Sequence, residues 1–339
     1  MTQVAVIGAG SWGTSVSWLL GGKGHSVTMW AREPEIAEGV NAAHANPLYM
    51  KDIVLPDCVR ATPDIELVLA GAEAVVMVTP SMGVRATADS MAPYLGADVP
   101  VVILSKGVEE GSLMLMTEVL EDVFGNKRRL AGLSGPNHAE EVGKGVPSAT
   151  VVAAHSDDVG RLFQDLFMTR FFRVYTNPDV VGVELAGASK NVVAVATGVC
   201  DGLGYGDNTK ATLMTRGLAE MSRLGHAMGA NPLTYMGLAG VGDLIATCTS
   251  KNSRNRALGE FIGLGGSLDG WRAQTNMVAE GAYACIAVKA LGEKMGIDLP
   301  LTSQVHAVLY EGVPVAAGEE ALLGREARDE LHGLELVED

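Results

Sequence analysis

A lysine with an asparagine beside it interrupts a run of small and apolar residues: Glu184-Leu185-Ala186-Gly187-Ala188-Ser189-Lys190-Asn191-Val192-Val193. An ammonium in such a setting is costly unless it is paired or used. Burial and nearby cations lower a lysine pKa, which suits proton transfer near neutral pH. The plainer alternative is a lysine whose stem lies along the surface with its head in water. A second stretch, Gly237-Leu238-Ala239-Gly240-Val241-Gly242-Asp243-Leu244, crowds glycines against an acid. Asp243 can hold or orient Lys190, or it can simply cap the helix that follows. A third, Thr249-Ser250-Lys251-Asn252-Ser253-Arg254-Asn255-Arg256, sets hydroxyl, amide and guanidinium groups in succession. These suit phosphate recognition, with arginine offering bidentate donors. Lys106, in Ser105-Lys106-Gly107 just after an apolar run, is a fourth candidate.

The elements that must position these groups begin at the N-terminus. Val4-Ala5-Val6-Ile7 reads as a buried strand, followed by Gly8, Gly10 and Gly13 at G-x-G-x-x-G spacing and a helix to about Gly21. Gly8 permits the tight turn, Gly10 lets backbone approach a pyrophosphate, and Gly13 lets helix and strand pack closely. The helix start adds free N–H groups and a positive dipole end for phosphates. His25–Trp30 is the expected second strand. At its end, where an acid would bind a ribose 2′-OH, stands Arg32, with Glu33 after it. Arginine there can hold a 2′-phosphate, which favours NADP while tolerating NAD.

Residues 41–63 read as loop and short irregular elements. Ala74–Val78 and Val99–Leu104 are further buried strands, alternating with helical stretches at Ile65–Leu69, Met82–Tyr94 and Leu113–Phe124. This pattern predicts a parallel doubly wound sheet with ligands beyond the carboxyl ends of its strands, where the glycine turn, Thr79-Pro80 and Lys106 fall. Leu133–Val142 reads as a small-residue turn leading into a capped helix, and Ala149–Ala153 and Phe171–Tyr175 as the last strands. From about Pro178 the strand signal ends and Ala, Gly, Leu and Met recur at helical spacing over Val183–Thr197, Ala211–Met228, Met277–Met295 and Gln304–Tyr310. The expected organisation is therefore α/β: a Rossmann-like doubly wound domain over 1–177 and an all-α substrate and catalytic domain over 178–339. The tail from Gly318, with eight acids against Arg325 and Arg328, reads as a solvated terminal helix.

The chain has 339 residues, 47% hydrophobic and 19% charged, which is ample for two globular cores. Its apolar windows at Ala74–Val78 and Val99–Leu104 are far shorter than the roughly 20 residues of a spanning helix. No signal peptide is expected, because Met1-Thr2-Gln3 leads straight into the first strand. Cys58, Cys200, Cys248 and Cys285 form no C-x-x-C pair, so neither disulfides nor a metal site is expected and a reducing cytosol fits. A net charge of −15 argues against nucleic acid and anionic membranes as partners. It also repels phosphorylated small molecules at long range, so a phosphate ligand would need cations gathered locally.

With these residues in view, the sequence resembles the bacterial NAD(P)-dependent glycerol-3-phosphate dehydrogenase family along nearly its whole length. The resemblance rests on Gly8-Ala9-Gly10-Ser11-Trp12-Gly13-Thr14, Ser105-Lys106-Gly107, Ser134-Gly135-Pro136, Gly187-Ala188-Ser189-Lys190-Asn191, Gly240-Val241-Gly242-Asp243-Leu244 and Ser253-Arg254-Asn255. It implies that Ser11, Trp12 and Arg32 contact the cofactor. Lys106 would touch cofactor and substrate, and Ala139 the nicotinamide side. Val278 and Glu280 would close over the cofactor, with Arg254 reaching it as well. Gly135 and Asn137 would line the substrate, although related sequences often carry Ser or Thr where Asn137 stands. Lys190 would be the general acid/base, and Asp243, Ser253, Arg254 and Asn255 would hold substrate. The resemblance further implies a cytoplasmic homodimer that uses NADP or NAD and feeds phospholipid synthesis. Two alternatives carry different chemistry: a β-hydroxyacid or ketopantoate-type reductase with a carboxylate substrate, and a non-catalytic NAD(P)-sensing protein.

Overall fold

The structure, a computed structural model, describes every residue except 276, 277, 331 and 334–339. Two compact units emerge: Met1–Ser105 with Met114–Val180, and Lys106–Leu113 with Val181–Asp339.

In the first unit eight strands form one sheet: β1 (Gln3–Ile7), β2 (Ser26–Trp30), β3 (Val59–Thr62), β4 (Ala74–Met77), β5 (Val101–Ile103), β6 (Leu130–Ser134), β7 (Ser148–Ala154) and β8 (Phe172–Asn177). Their order is β3-β2-β1-β4-β5-β6-β7-β8. The helices of this unit are α1 (Ser11–Gly22), α2 (Pro34–Ala43), α3 (Ile65–Leu69), α4 (Val84–Met91), α5 (Met116–Phe124), α6 (Ala139–Val142) and α7 (Asp157–Phe167). Both faces of the sheet are covered. Val4 and Val6 join one core with Leu19, Leu20 and Phe163, while their neighbours Ala5 and Ile7 join the other with Val68, Met91 and Leu120. That two-sided burial is why the strands read as continuous apolar runs rather than alternating ones.

Three expectations need correcting here. The stretch 41–63 is not all loop, because it contains β3, paired in parallel with β2 through Val27↔Val59 and Trp30↔Thr62. β3 is a short edge strand in which Arg60 is exposed between buried Val59 and Ala61, so it carries little apolar signal. The sheet is also not wholly parallel. β7 pairs antiparallel with β6, while β8 runs parallel to β7. Finally, β6 begins before the Leu133 turn, and all five of its residues are buried.

The second unit is helical: α8 (Val180–Gly202), α9 (Asp207–Ala227), α10 (Asp243–Thr249), α11 (Arg254–Gly263), α12 (Leu268–Gln274), α13 (Glu280–Met295), α14 (Pro300–Tyr310) and α15 (Val315–Leu323). The expected terminal helix stops at Leu323, and residues 325–330 are not helical. Its last acids, Glu335, Glu338 and Asp339, lie outside the described residues, as does Met277 of the expected 277–295 helix. α8 is long and apolar enough to cross a membrane, which the window reading did not anticipate, but 94% of its apolar stretch is buried inside the protein. It is the central helix of its unit, with Val183, Leu185, Val192 and Val195 fully shielded.

Candidate active site

The glycine turn sits at the carboxyl end of β1, next to the point where the strand order reverses between β1 and β4. Gly8 lies in the left-handed region (φ 125°), which favours glycine. A Cβ on Gly13 would sit 1.9 Å from the Gly8 carbonyl oxygen, so α1 can approach the strand only with hydrogen there. Gly10 differs: nothing lies within 4 Å of where its Cβ would be. It also stands at the N-cap of α1 with no side-chain cap on the helix. Open space over bare backbone at an uncapped helix start is what a pyrophosphate requires, and these residues fit a dinucleotide.

Around this turn, Ser11 opens α1, and Trp12 packs half-buried against the core. Arg32 follows β2 and is 79% exposed, its guanidinium donating to Glu33 at 2.7 and 3.1 Å. An exposed pair of this kind contributes little, so it yields readily to a stronger anion. Ala139 opens α6, and its carbonyl accepts a 2.8 Å bond from Ser15 of α1, tying the two helix starts together. Gly135 is buried just past β6. Asn137 donates to the Ala149 carbonyl at 2.9 Å, which leaves its buried Oδ1 without a hydrogen-bond partner.

In the second unit, α8, α10 and the Lys106–Leu113 segment bring three ionised groups together. Asp243 accepts from Lys190 Nζ on Oδ1 and from Lys106 Nζ on Oδ2, each at 2.6 Å. Lys190 and Asp243 are 5% and 2% exposed, which decides against the surface-lysine alternative. The N-cap of α10 is Gly242, not Asp243, so the capping alternative for the acid also falls. Burial lowers the Lys190 pKa to about 8. Asp243 works to raise it again, and the Lys106 charge lowers it further. For Asp243, burial favours the neutral acid, but the two ammonium groups outweigh it and hold the carboxyl below its usual range. The site is thus a carboxylate fixed between two amines, one of them poised to exchange a proton near neutral pH.

Sequence reading missed Thr247. Its Oγ accepts from Lys190 at 2.6 Å while donating to the Asp243 carbonyl one turn back at 2.7 Å. The signal was available, since residues four apart on a helix share a face, and Asp243 and Thr247 do. Lys106 was expected to belong with the sheet because it follows β5, yet its segment packs with the helical unit.

The Ser253–Arg256 cluster divides by role. Ser253 caps α11, accepting from the Arg256 N–H at 3.2 Å. Arg254 is exposed at the first position of that helix. Arg256 is engaged by Asp201 and by Glu260, the latter at 3.2 Å. Asn255 is buried. It donates to Asn191 Oδ1 at 2.8 Å and accepts from the Gly281 N–H at 2.8 Å, linking α8, α11 and the start of α13. Glu280 opens α13, with Val278 half-buried just before it. Among the described residues no group of three or more His, Cys, Asp or Glu is placed to hold a metal.

Residues 3–159 match the N-terminal domain, and 179–318 the C-terminal domain, of the family described as NAD-dependent glycerol-3-phosphate dehydrogenase. The chain belongs to that family. It is 48% identical to the glycerol-3-phosphate dehydrogenase (NAD(P)+) of Pelotomaculum thermopropionicum, over 99% of this chain and 97% of that protein. The enzyme of the same name from Shouchella clausii is 45% identical, over 98% and 99%. Among solved structures, the glycerol-3-phosphate dehydrogenase of Coxiella burnetii superposes with a TM-score of 0.91 at 36% identity, over 96% of this chain and 99% of that one. Membership thus spans both units: Lys190, Asp243 and Thr247 fall within the C-terminal match and Lys106 within the N-terminal one.

Proposed function

We propose that this protein catalyses reversible hydride transfer between NAD(P)H and dihydroxyacetone phosphate, giving sn-glycerol 3-phosphate. The observation that carries this reading is the buried Lys190, lowered to about 8 and bonded to Asp243 and Thr247, in a chain of this family. When bound, the dinucleotide supplies or takes up the hydride at substrate C2. Gly8, Gly10 and Gly13 with the start of α1 receive its pyrophosphate, and Ser11, Trp12, Arg32, Ala139, Arg254, Val278 and Glu280 hold the rest.

In reduction the Lys190 ammonium donates a proton to the oxygen that develops charge at C2; in oxidation the neutral amine takes it back. Asp243 and Thr247 fix the direction of that amine. Lys106 adds positive charge near the carbonyl oxygen. Arg254, Ser253 and Asn255, with Gly135 and Asn137, bind substrate, and Arg254 anchors the phosphate so that C2 is held in place for reaction. We further infer a cytoplasmic homodimer that supplies the glycerol phosphate backbone of phospholipids.

The test is NADPH and NADH oxidation followed by absorbance and started with dihydroxyacetone phosphate. Turnover with that ketone and none with 2-oxo or 3-oxo acids is the expected result. Preference for the acids would make the protein a carboxylate reductase, and tight cofactor binding without turnover would make it a sensor.

A further inference from the structure

We propose that the helical unit carries a second ligand site: a cavity that takes one uncharged aliphatic chain. The cavity measures about 170 Å³ and opens between α8, α9, α14 and α15, where Val195, Val199, Leu213, Val305, Leu309 and Leu322 form its wall. It shares no residue with the Lys106–Lys190–Asp243 cluster, although α8 contributes to both.

Three observations fix the chemistry of the occupant. The first is dryness. Two of the hydroxyls at the wall are already engaged: that of Thr212 donates to the Asn208 carbonyl at 2.9 Å, and that of Tyr205 donates to Glu319 at 2.8 and 2.9 Å. A water there would find few partners, and apolar cavities of about 150 Å³ stay dry and take benzene-sized molecules. The second is size, since by the same comparison this cavity holds about six carbons. Its rim is apolar too: Leu203 and Leu323 are 39% and 79% exposed, so a chain enters across hydrocarbon.

The third is charge. Glu319 is the charged residue among those that line the cavity. Asp201, beside it, is engaged by Arg256 and Lys210. The Cys200 thiol at this wall is pushed up to about 11 chiefly by burial, with Glu319 and Asp201 adding to the rise and Lys210 opposing it. The negative charge facing the cavity is that of Glu319. A carboxylate or phosphate head is therefore repelled, and an alcohol or other neutral end is accepted. The occupant is a short neutral chain and not a fatty acid anion.

The experiment is calorimetric titration of the full-length protein with ethanol, 1-butanol, 1-hexanol and hexanoate, with methyl NMR to locate the contact. Saturable one-to-one binding is expected. Each added methylene should tighten Kd about four-fold up to roughly six carbons, with chemical shifts moving at Val305 and Leu309. Hexanoate should bind at least ten-fold more weakly than 1-hexanol, and Glu319→Gln should narrow that gap. Leu322→Trp, at a half-exposed rim position, should abolish binding while leaving dehydrogenase turnover unchanged. The proposal is overturned if affinity is independent of chain length, or if hexanoate and hexanol bind alike. Binding that survives Leu322→Trp would overturn it as well. So would a lack of binding because a second copy of the chain covers the opening.

Discussion

At the scale of single residues, the reading turns on Lys190. Its ammonium is destabilised by burial and by the Lys106 charge, and Asp243 only partly restores it, which leaves the pKa at about 8. The sign of the pH dependence follows. The neutral amine is the active form in glycerol 3-phosphate oxidation, so kcat rises with pH through about 8 and then levels. Dihydroxyacetone phosphate reduction needs the ammonium, so its kcat falls over the same range. Lys106→Met removes a like charge and leaves Asp243 wholly to Lys190. Both changes favour the ammonium and move the two limbs to higher pH by on the order of one unit. Lys190→Ala should lower kcat by roughly 10²–10⁴-fold, the usual loss of a proton-transfer group, without changing the Kd for NADPH. Rate profiles in both directions for wild type and Lys106→Met decide the matter: a limb that stays put assigns the titration to another group.

At the scale of elements, the glycine turn separates two requirements that sequence alone runs together. Gly13 is demanded by the fold, because its Cβ would meet the Gly8 carbonyl at 1.9 Å. Gly13→Ala should therefore cost roughly 3 kcal/mol or more in denaturant unfolding, with or without cofactor. Gly10 is demanded by the ligand. With open space at its Cβ and φ −74°, Gly10→Ala should leave stability unchanged or raise it by about 0.5 kcal/mol. It should still weaken NADPH binding about tenfold, the equivalent of ~1.4 kcal/mol. Equal loss of stability in both variants would contradict this division. The turn was legible in the sequence because every part of it is local: strand, glycine spacing and helix follow one another within a few residues. What escaped is non-local. β3 was hidden because a four-residue edge strand with Arg60 at its centre has little periodicity, and the antiparallel direction of β7 leaves no mark on its own residues. The Lys190–Asp243 pair was foreseen from an amine and an acid in apolar surroundings. Thr247 was passed over because a hydroxyl inside a helix bonds its own backbone in most settings, and only the fold brings Lys190 to it.

At the scale of the whole molecule, acids outnumber bases by 40 to 25, so the fold depends on where its carboxylates are. Most are solvated, but Glu220 is not. It lies on α9, 5% exposed, and caps the start of α14 from a distance of 81 residues: Oε1 accepts from the Leu301 N–H at 2.6 Å, and Oε2 from the Thr302 N–H and hydroxyl, each at 3.2 Å. Burial pushes its pKa up to about 6 from an ordinary 4.5, although those bonds and the nearby Arg223 hold it down. A carboxyl whose folded pKa exceeds its unfolded one contributes stability below the unfolded value and loses it as pH rises through the folded one. Glu220 therefore opposes the general trend among paired carboxylates such as Asp243 and Asp201, whose depressed pKa values contribute stability that is lost as pH falls. Glu220→Gln cannot ionise. It should carry a constant penalty for turning an amide toward backbone donors, and on top of that it should gain about 2 kcal/mol relative to wild type between pH 4.5 and 6. Denaturant unfolding of both proteins at pH 4, 5, 6 and 7 measures this. A difference that stays flat across the series would mean that the three hydrogen bonds fully offset the burial of the charge, and that the cap on α14 is insensitive to pH.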